Sequence, residues 1–301
     1  PQVNPNSVSP KLNVILVLFL IIGLAFPIGV IFLYDLINEH IPHDAKELEK
    51  ILKVPFAGVL VKNHHGEHIA VREGENSVSA ELFRTLRTNI RFMQPASVQC
   101  PVILVTSSIN GEGKSYVATN LAISMALLGK KVALLGLDIR KPMLADYLNL
   151  PTQGCLTSYL SDDSYTLADA VVASNVKNLD ILPAGVIPPN PSELLQSDRL
   201  DVLFAELRKQ YDCVVVDSAP VALVSDTFLL NRVADMTVYV TRANYTTFDL
   251  IDFLNQTHEQ QRLPKIVAVL NGVDAKKIGY GYGYGYGQQA QTKKWWQFKQ
   301  A

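Results

Sequence analysis

Ser108-Ile109-Asn110-Gly111-Glu112-Gly113-Lys114-Ser115 stands between a short apolar run, Val102–Val105, and a helical pattern, Ser115–Leu128, which Gly129 ends. A strand, a turn closing on Gly-Lys-Ser and a helix form the context in which a phosphate-binding loop occurs. Such a loop aims successive backbone N–H groups at phosphate oxygens, and glycines at 111 and 113 permit that close approach. The helix N-terminus adds a partial positive charge. This reading assigns Ser108, Asn110, Gly111, Glu112, Gly113, Lys114, Ser115 and Tyr116 to an ATP site, with Lys114 on the β- and γ-phosphates and Ser115 on Mg2+. Ser108 occupies the place of the first glycine in the usual G-x-x-x-x-G-K-[ST] pattern.

Outward from the loop, Val132–Leu137, Cys213–Val216, Thr237–Val240 and Ile266–Leu270 are further apolar runs of strand length, and Asp198–Lys209 reads as a helix. Continuously apolar strands alternating with helices predict an α/β fold, a P-loop NTPase whose mostly parallel sheet is flanked by helices. Asp138 and Asp217 follow two of these strands. In an open parallel sheet the ligand lies beyond the carboxyl ends of the strands, so both acids are expected at the nucleotide. One would hold Mg2+ with Ser115, and the other would take the proton of an attacking hydroxyl. Asn271, after the last strand, is a candidate for the adenine edge or for a turn-forming Asn-Gly.

Val14–Leu33 carries no charged or strongly polar side chain. As a helix it would span roughly 30 Å, the hydrocarbon thickness of a bilayer. Pro27, Gly23 and Gly29 are tolerated in a membrane helix, and Tyr34 stands at the expected interface. The segment is too long, and lacks the small-residue cleavage pattern, for a signal peptide. Lys46, Lys50 and Lys53 follow the block while Lys11 alone precedes it, which favours a cytoplasmic C-terminal side. The expected organisation is a periplasmic remnant over 1–11, a transmembrane helix over 12–34, a cytoplasmic linker over 35–76, a nucleotide domain over 77–278 and a disordered tail over 279–301. Within the linker, the apolar island Val54–Val61 is expected to pack partly on the domain. The block predicts a membrane-anchored protein. A net charge of −1 leaves no electrostatic footprint for nucleic acid. Cys100, Cys155 and Cys213 are far apart and read as reduced thiols. His64, His65 and His68 give too few ligands for a metal and read as a solvated loop.

Residues 78–93 predict an amphipathic helix, with Val78, Leu82, Leu86, Ile90 and Met93 on one face and Glu81, Arg84, Arg87 and Arg91 opposite. In the tail, Tyr280, Tyr282, Tyr284 and Tyr286 alternate with glycine, which prevents a packed element. Trp295, Trp296, Lys293, Lys294 and Lys299 read as a solvated tail, with a membrane-interface contact as the alternative.

At this point the motifs resemble those of the bacterial tyrosine kinases that control capsule and exopolysaccharide export, whose fold is related to the MinD/ParA ATPases. Gly111-Glu112-Gly113-Lys114-Ser115 matches the family's modified Walker A, and Val214-Val215-Val216-Asp217 its Walker B. Ala133 to Arg140 resembles the family's second motif, three apolar residues and D-x-D-x-R, with Gly136 where the first Asp is usual. Pro188-Pro189-Asn190-Pro191-Ser192-Glu193-Leu194-Leu195 resembles the family's PPNPSELL stretch. Glu81-x-x-Arg84-x-x-Arg87 resembles the helix that packs subunits into a ring, an octamer by the resemblance. Ile109 stands where the MinD/ParA ATPases carry a signature lysine, which argues for the kinase branch.

The resemblance implies an ATP-dependent protein-tyrosine autokinase. Lys114, Asp138, Asp217 and Arg140 would form its catalytic set, and Ser115, Asp138 and Asp217 its metal set. Tyr280, Tyr282, Tyr284 and Tyr286 would be acceptors in trans. Asp138 is favoured as base, because ordinary NTPases lack the second motif. Packing is the simpler role for Arg84 and Arg87, reach into a neighbour's site the alternative. Implied partners are a cognate tyrosine phosphatase, a polysaccharide polymerase and an outer-membrane export machinery. An ATPase switch without protein phosphorylation, and a chain-length regulator using the domain as a ring scaffold, are the rival readings.

Overall fold

The computed structural model describes residues 12–37, 40–41, 44–62, 67–94, 97–148, 150 and 155–277. Its helices are α1 Leu12–Ile37, α2 Ala45–Ile51, α3 Val78–Met93, α4 Lys114–Ala126, α5 Leu144–Leu148, α6 Leu156–Ser161, α7 Leu167–Ala170, α8 Pro191–Gln196, α9 Asp198–Gln210, α10 Asp226–Leu229 and α11 Phe248–Glu259. Its strands are β1 Phe56–Val61, β2 Val102–Ser107, β3 Val132–Gly136, β4 Val172–Ala173, β5 Leu179–Leu182, β6 Cys213–Asp217, β7 Met236–Arg242 and β8 Ile266–Val273. They form one sheet in the order β1-β8-β7-β2-β6-β3-β5-β4. All neighbours are parallel except the β4–β5 pair at one edge.

The strands alternate their side chains between two cores, as the pleat requires. Ile103, Val105, Val132 and Leu134 meet α3 and α4 on one face, among them Phe83, Leu86, Val117 and Leu121. Val102, Leu104, Ala133 and Leu135 meet the other core with Leu200, Leu203, Phe204 and Leu207 of α9. Helix α4 is buried on every side, from Lys114 to Ala126 except Tyr116. That explains its lack of an amphipathic stripe.

Helix α3 spans the residues expected, capped by Ser77, whose hydroxyl accepts from the Ala80 amide at 3.2 Å. Its buried stripe is Ala80, Leu82, Phe83, Leu86 and Ile90. Val78 instead lies 61% exposed. The stripe is turned toward Phe83, and Val78 in the first turn falls outside it. On the polar face, Arg84 pairs with Glu81 at 2.8 Å. Arg87 donates to the Ser124 carbonyl at 2.6 Å and thereby braces α3 on α4.

The island expected to pack partly on the domain is an integral strand. Phe56–Val61 forms β1, parallel to β8. The linker also supplies Ile41, Ala45, Leu48 and Val71 to the core. The polar residues around these positions masked their regular structure in the sequence. Ile41 exchanges backbone hydrogen bonds with Thr246 (2.8 Å) and Asn244 (2.9 Å). Helix α1 is long and apolar enough to cross a bilayer: Asn13–Leu33 has a mean hydropathy of 3.1 and none of its most apolar window is buried. An element apolar all round and uncovered suits lipid, not water.

Candidate active site

The site forms where β2, β6 and β3 end. Asp217 closes β6 between the other two strands, in register with Val105 and Gly136. The amides of Leu137 and Asp138 both donate to the Asp217 carbonyl, at 2.7 and 3.1 Å. The backbone therefore holds the two acids side by side beyond the sheet edge, as the parallel topology dictates.

The loop from Ser108 to Gly113 is shaped by turning its carbonyls outward. The Asn110 carbonyl accepts from the Tyr245 hydroxyl at 2.9 Å. The Gly111 carbonyl accepts from Arg242 Nη1 at 2.6 Å, and the Glu112 carbonyl from Asn271 Nδ2 at 2.9 Å. The amides of Gly111, Glu112 and Gly113 make no hydrogen bond among the described residues. They remain available to an anion, next to the N-terminus of α4. Gly111 and Gly113 have φ of +87° and +100°. A Cβ on Gly113 would stand 2.2 Å from Asn271 Nδ2, and one on Gly111 would stand 2.7 Å from the Tyr245 oxygen. Glycine is thus required by conformation and by close approach together.

Glu112 lies inside this loop. Its Oε2 accepts from the Ile109 amide at 2.8 Å, and its Oε1 accepts from the Thr246 hydroxyl. Burial pushes its carboxyl up to about 7, against the pull of the Thr246 and Ile109 hydrogen bonds. Ser108, in the usual glycine place, bonds its hydroxyl to that of Tyr239 at 2.8 Å.

Opposite the loop, Lys114 Nζ stands 2.9 Å from Asp138 Oδ2, with both side chains buried. Burial lowers the Lys114 pKa, but Asp217 and Asp138 outweigh it and raise it on balance. Burial pushes Asp217 up to about 6, opposed by the Lys114 charge and a hydrogen bond with Ser115. The second Asp217 oxygen, Oδ1, is buried without a hydrogen-bond partner among the described residues. A buried acceptor left so is costly, and a bound cation would relieve it. Ser115, Asp138 and Asp217 are an all-oxygen set with two carboxylates, which fits Mg2+.

A family model described as "AAA domain" matches residues 100–265. Tyrosine-protein kinase YwqD of Bacillus subtilis (strain 168) is 39% identical over 203 residues, which cover 67% of this chain and 84% of that protein. This chain belongs to the bacterial tyrosine-protein kinases. Tyrosine-protein kinase wzc of Salmonella typhimurium (strain LT2) is 26% identical over 92% of this chain, which spans 40% of that longer protein. The crystal structure of the chimerical protein CapA2B2 superposes with a TM-score of 0.68 at 31% identity, covering 77% of this chain and 100% of the other.

Within this bacterial tyrosine kinase chain the structure brings together Gly111, Gly113, Lys114, Ser115, Asp138 and Asp217. Other candidate residues point elsewhere. Tyr116 packs edge-on against Phe83 of α3, ring centres 5.6 Å apart. Asn271 lies within β8 and not in a turn after it; its Oδ1 accepts from the Gly272 amide at 2.8 Å and its amide nitrogen caps the loop. Arg140 directs its guanidinium to Asp226 and Ser192. A Cβ on Gly136 would stand 3.2 Å from the Ala184 amide nitrogen and 3.4 Å from Leu144 Cδ2. The place of the family's first Asp is therefore already crowded.

Sequence reasoning missed Tyr239 and Arg242 of β7, and Tyr245 and Thr246 on the turn after it. No local pattern marks them, since their partners lie more than a hundred residues away. Tyr147 of α5 stacks on His68, ring centres 4.0 Å apart. Burial and then Asp217 raise its phenol pKa, which places it near the acid pair. Tyr280, Tyr282, Tyr284, Tyr286, Trp295, Trp296, His64 and His65 lie outside the described residues.

Proposed function

We propose that this chain is a membrane-anchored, ATP-dependent protein-tyrosine autokinase. The reading rests above all on the buried Lys114–Asp138 pair, 2.9 Å apart, facing a loop whose free amides suit phosphate. The similarity to tyrosine-protein kinases supplies the tyrosine-kinase direction. Lys114 would leave Asp138 for the β- and γ-phosphates of ATP, and the loop amides would orient the triphosphate. Ser115 and Asp217 would hold Mg2+, which when bound supplies charge neutralisation at the phosphates. Asp138, released from Lys114, would take the phenol proton as the tyrosine oxygen attacks the γ-phosphorus, whose bond to the β,γ-bridging oxygen breaks so that ADP leaves.

The acceptors would be Tyr280, Tyr282, Tyr284 and Tyr286 of a neighbouring copy in a ring. Of the ring motif, Glu81 is exposed, while Arg84 is engaged with Glu81 and the Glu75 carbonyl, and Arg87 with the Ser124 carbonyl, of its own chain. Helix α1 would seat the protein in the inner membrane with the nucleotide domain in the cytoplasm. There it would regulate polymerisation and export of a capsular or extracellular polysaccharide, opposed by a tyrosine phosphatase. Mass spectrometry after incubation with Mg-ATP tests this. Phosphate is expected on the tail tyrosines, and changing all four to Phe is expected to remove most label while ATP still binds. Label persisting at the wild-type level would move the acceptor to Tyr147 or Tyr159, and an unlabelled wild type would overturn the kinase reading.

A further inference from the structure

Two sequence signatures meet on a residue that belongs to neither. Arg140, which ends the second motif, donates from Nε to Asp226 Oδ2 at 2.5 Å and from Nη2 to Asp226 Oδ1 at 3.2 Å. The same Nη2 lies 3.0 Å from the hydroxyl of Ser192 in the PPNPSELL stretch. Ser192 in turn donates to Asp226 Oδ1 at 2.7 Å. The triangle closes with every role satisfied: guanidinium donating, hydroxyl accepting and donating, carboxylate accepting three times. The Asp226 side chain is only 4% exposed, whereas Arg140 is 43% exposed. Burial raises the Asp226 pKa, but the Arg140 and Ser192 hydrogen bonds outweigh it and hold the carboxyl below its ordinary range.

The three residues come from the segments that leave β3, β5 and β6. The first segment also carries Asp138, whose Oδ1 accepts from the Lys141 amide at 3.1 Å while Oδ2 faces Lys114. Arg140 sits inside that turn. Anchoring it therefore fixes where the turn, and Asp138 with it, can lie. We propose that Asp226 is a positioning residue: it holds Arg140, and through it keeps Asp138 at the reacting phosphate. Arg140 acts in the same chain of contacts and not on the substrate. The inference rests on the kinase reading for its substrate, but its geometry applies to any phosphoryl transfer at this site. A bidentate Arg–carboxylate pair is suited to this, because it fixes direction as well as distance. Displacing a reacting group by about 1 Å costs on the order of 100-fold in rate.

The test uses the full chain in detergent and measures ADP release and tyrosine label in parallel. Asp226→Asn keeps the shape and removes the charge. It is expected to lower kcat by 10- to 100-fold with the KM for ATP within threefold of wild type. Arg140→Gln is expected to do the same, and the double variant to be no slower than the worse single one, since both act through one contact. Ser192→Ala, which spares the ion pair, is expected to lose three- to tenfold in kcat and serves where Asp226→Asn folds poorly. Wild-type kcat in Asp226→Asn or Ser192→Ala, a loss confined to KM, or losses that multiply in the double variant would each overturn the proposal. ADP release showing the expected non-additivity without any tyrosine label would support this inference while rejecting the kinase reading.

Discussion

The two walls of the site are in different states of completion. On the loop wall, the carbonyls of Asn110, Gly111 and Glu112 are each capped by a side chain from the ends of β7 and β8, and the Glu112 carboxylate ties the interior together. On the acid wall, Asp138 is matched with Lys114, a residue of the opposite wall, and Asp217 Oδ1 has no partner among the described residues. The loop is built before a ligand arrives, whereas the acids hold a provisional arrangement. Binding should accordingly leave the loop unchanged and rearrange the Lys114–Asp138 pair. Separating that pair costs free energy that the new contact between Lys114 and the phosphates must offset, since a buried charge left unpaired is destabilising.

Lys114 belongs to both walls, so its loss should have the largest effect. Lys114→Met is expected to lower tyrosine label by 1,000-fold or more in a quantitative phosphopeptide assay, with the protein still in the membrane fraction. Label above a tenth of wild type would break the assignment of the loop. Asp138→Asn separates the walls more finely. It frees Lys114 and removes a negative charge from beside the triphosphate, so ATP affinity is expected to hold or rise up to tenfold. Turnover is expected to fall 100- to 10,000-fold, the range of a lost general base. Isothermal titration with a non-hydrolysable ATP analogue and steady-state kinetics read the two quantities apart. Equal losses in both would make Asp138 chiefly a metal ligand.

The completed wall predicts a pH signature of the fold. Glu112 titrates at about 7 in the folded chain against an ordinary value of 4.5. Between those values the folded chain keeps a proton that the unfolded chain releases, so stability falls as pH rises through the interval. Glu112→Gln lacks this contribution. The Tm of wild type relative to Glu112→Gln, measured at pH 5.0, 6.0 and 7.5, is expected to fall by several degrees across the series. A constant difference would mean that the carboxyl is ionised throughout.

The sequence revealed the loop wall's backbone more readily than its support. Glycines, lysine and helix start are contiguous and carry their own geometric reason, and Asp138 and Asp217 were legible because strand ends in a parallel sheet share one edge. The caps from Arg242, Tyr245 and Asn271 join residues more than a hundred positions apart, and no periodicity encodes them. Arg140 was legible as part of a motif but not in its role, because its partner Asp226 follows Leu223, Val224 and Ser225 in a stretch without a recognisable pattern. Strand β1 was undervalued for a similar reason. Its six residues lie in a polar context, and only pairing with β8 shows that they complete the sheet.

Ser108 offers the smallest and sharpest test of the comparison, because it sits at the base of the finished wall without facing the phosphates. Among the described residues its hydroxyl is the only hydrogen-bond partner of the buried Tyr239 phenol, and its carbonyl accepts from the Ala222 amide at 3.1 Å whatever the side chain. Ser108→Gly restores the glycine usual at this place, yet it should weaken the protein by about 1–3 kcal/mol, because it strands a buried hydroxyl. For a domain of this size that is a Tm drop of roughly 2–12 °C. Tyr239→Phe removes the stranded group, so the double variant should be more stable than the sum of the single losses predicts, by about 0.5–1.5 kcal/mol in a double-mutant cycle. ATP affinity should remain within threefold in all three variants, since the free amides belong to residues 111 to 113. A tenfold loss of ATP affinity in Ser108→Gly would show that the base of the loop also shapes its mouth, and the division between a finished wall and a provisional one would have to be drawn elsewhere.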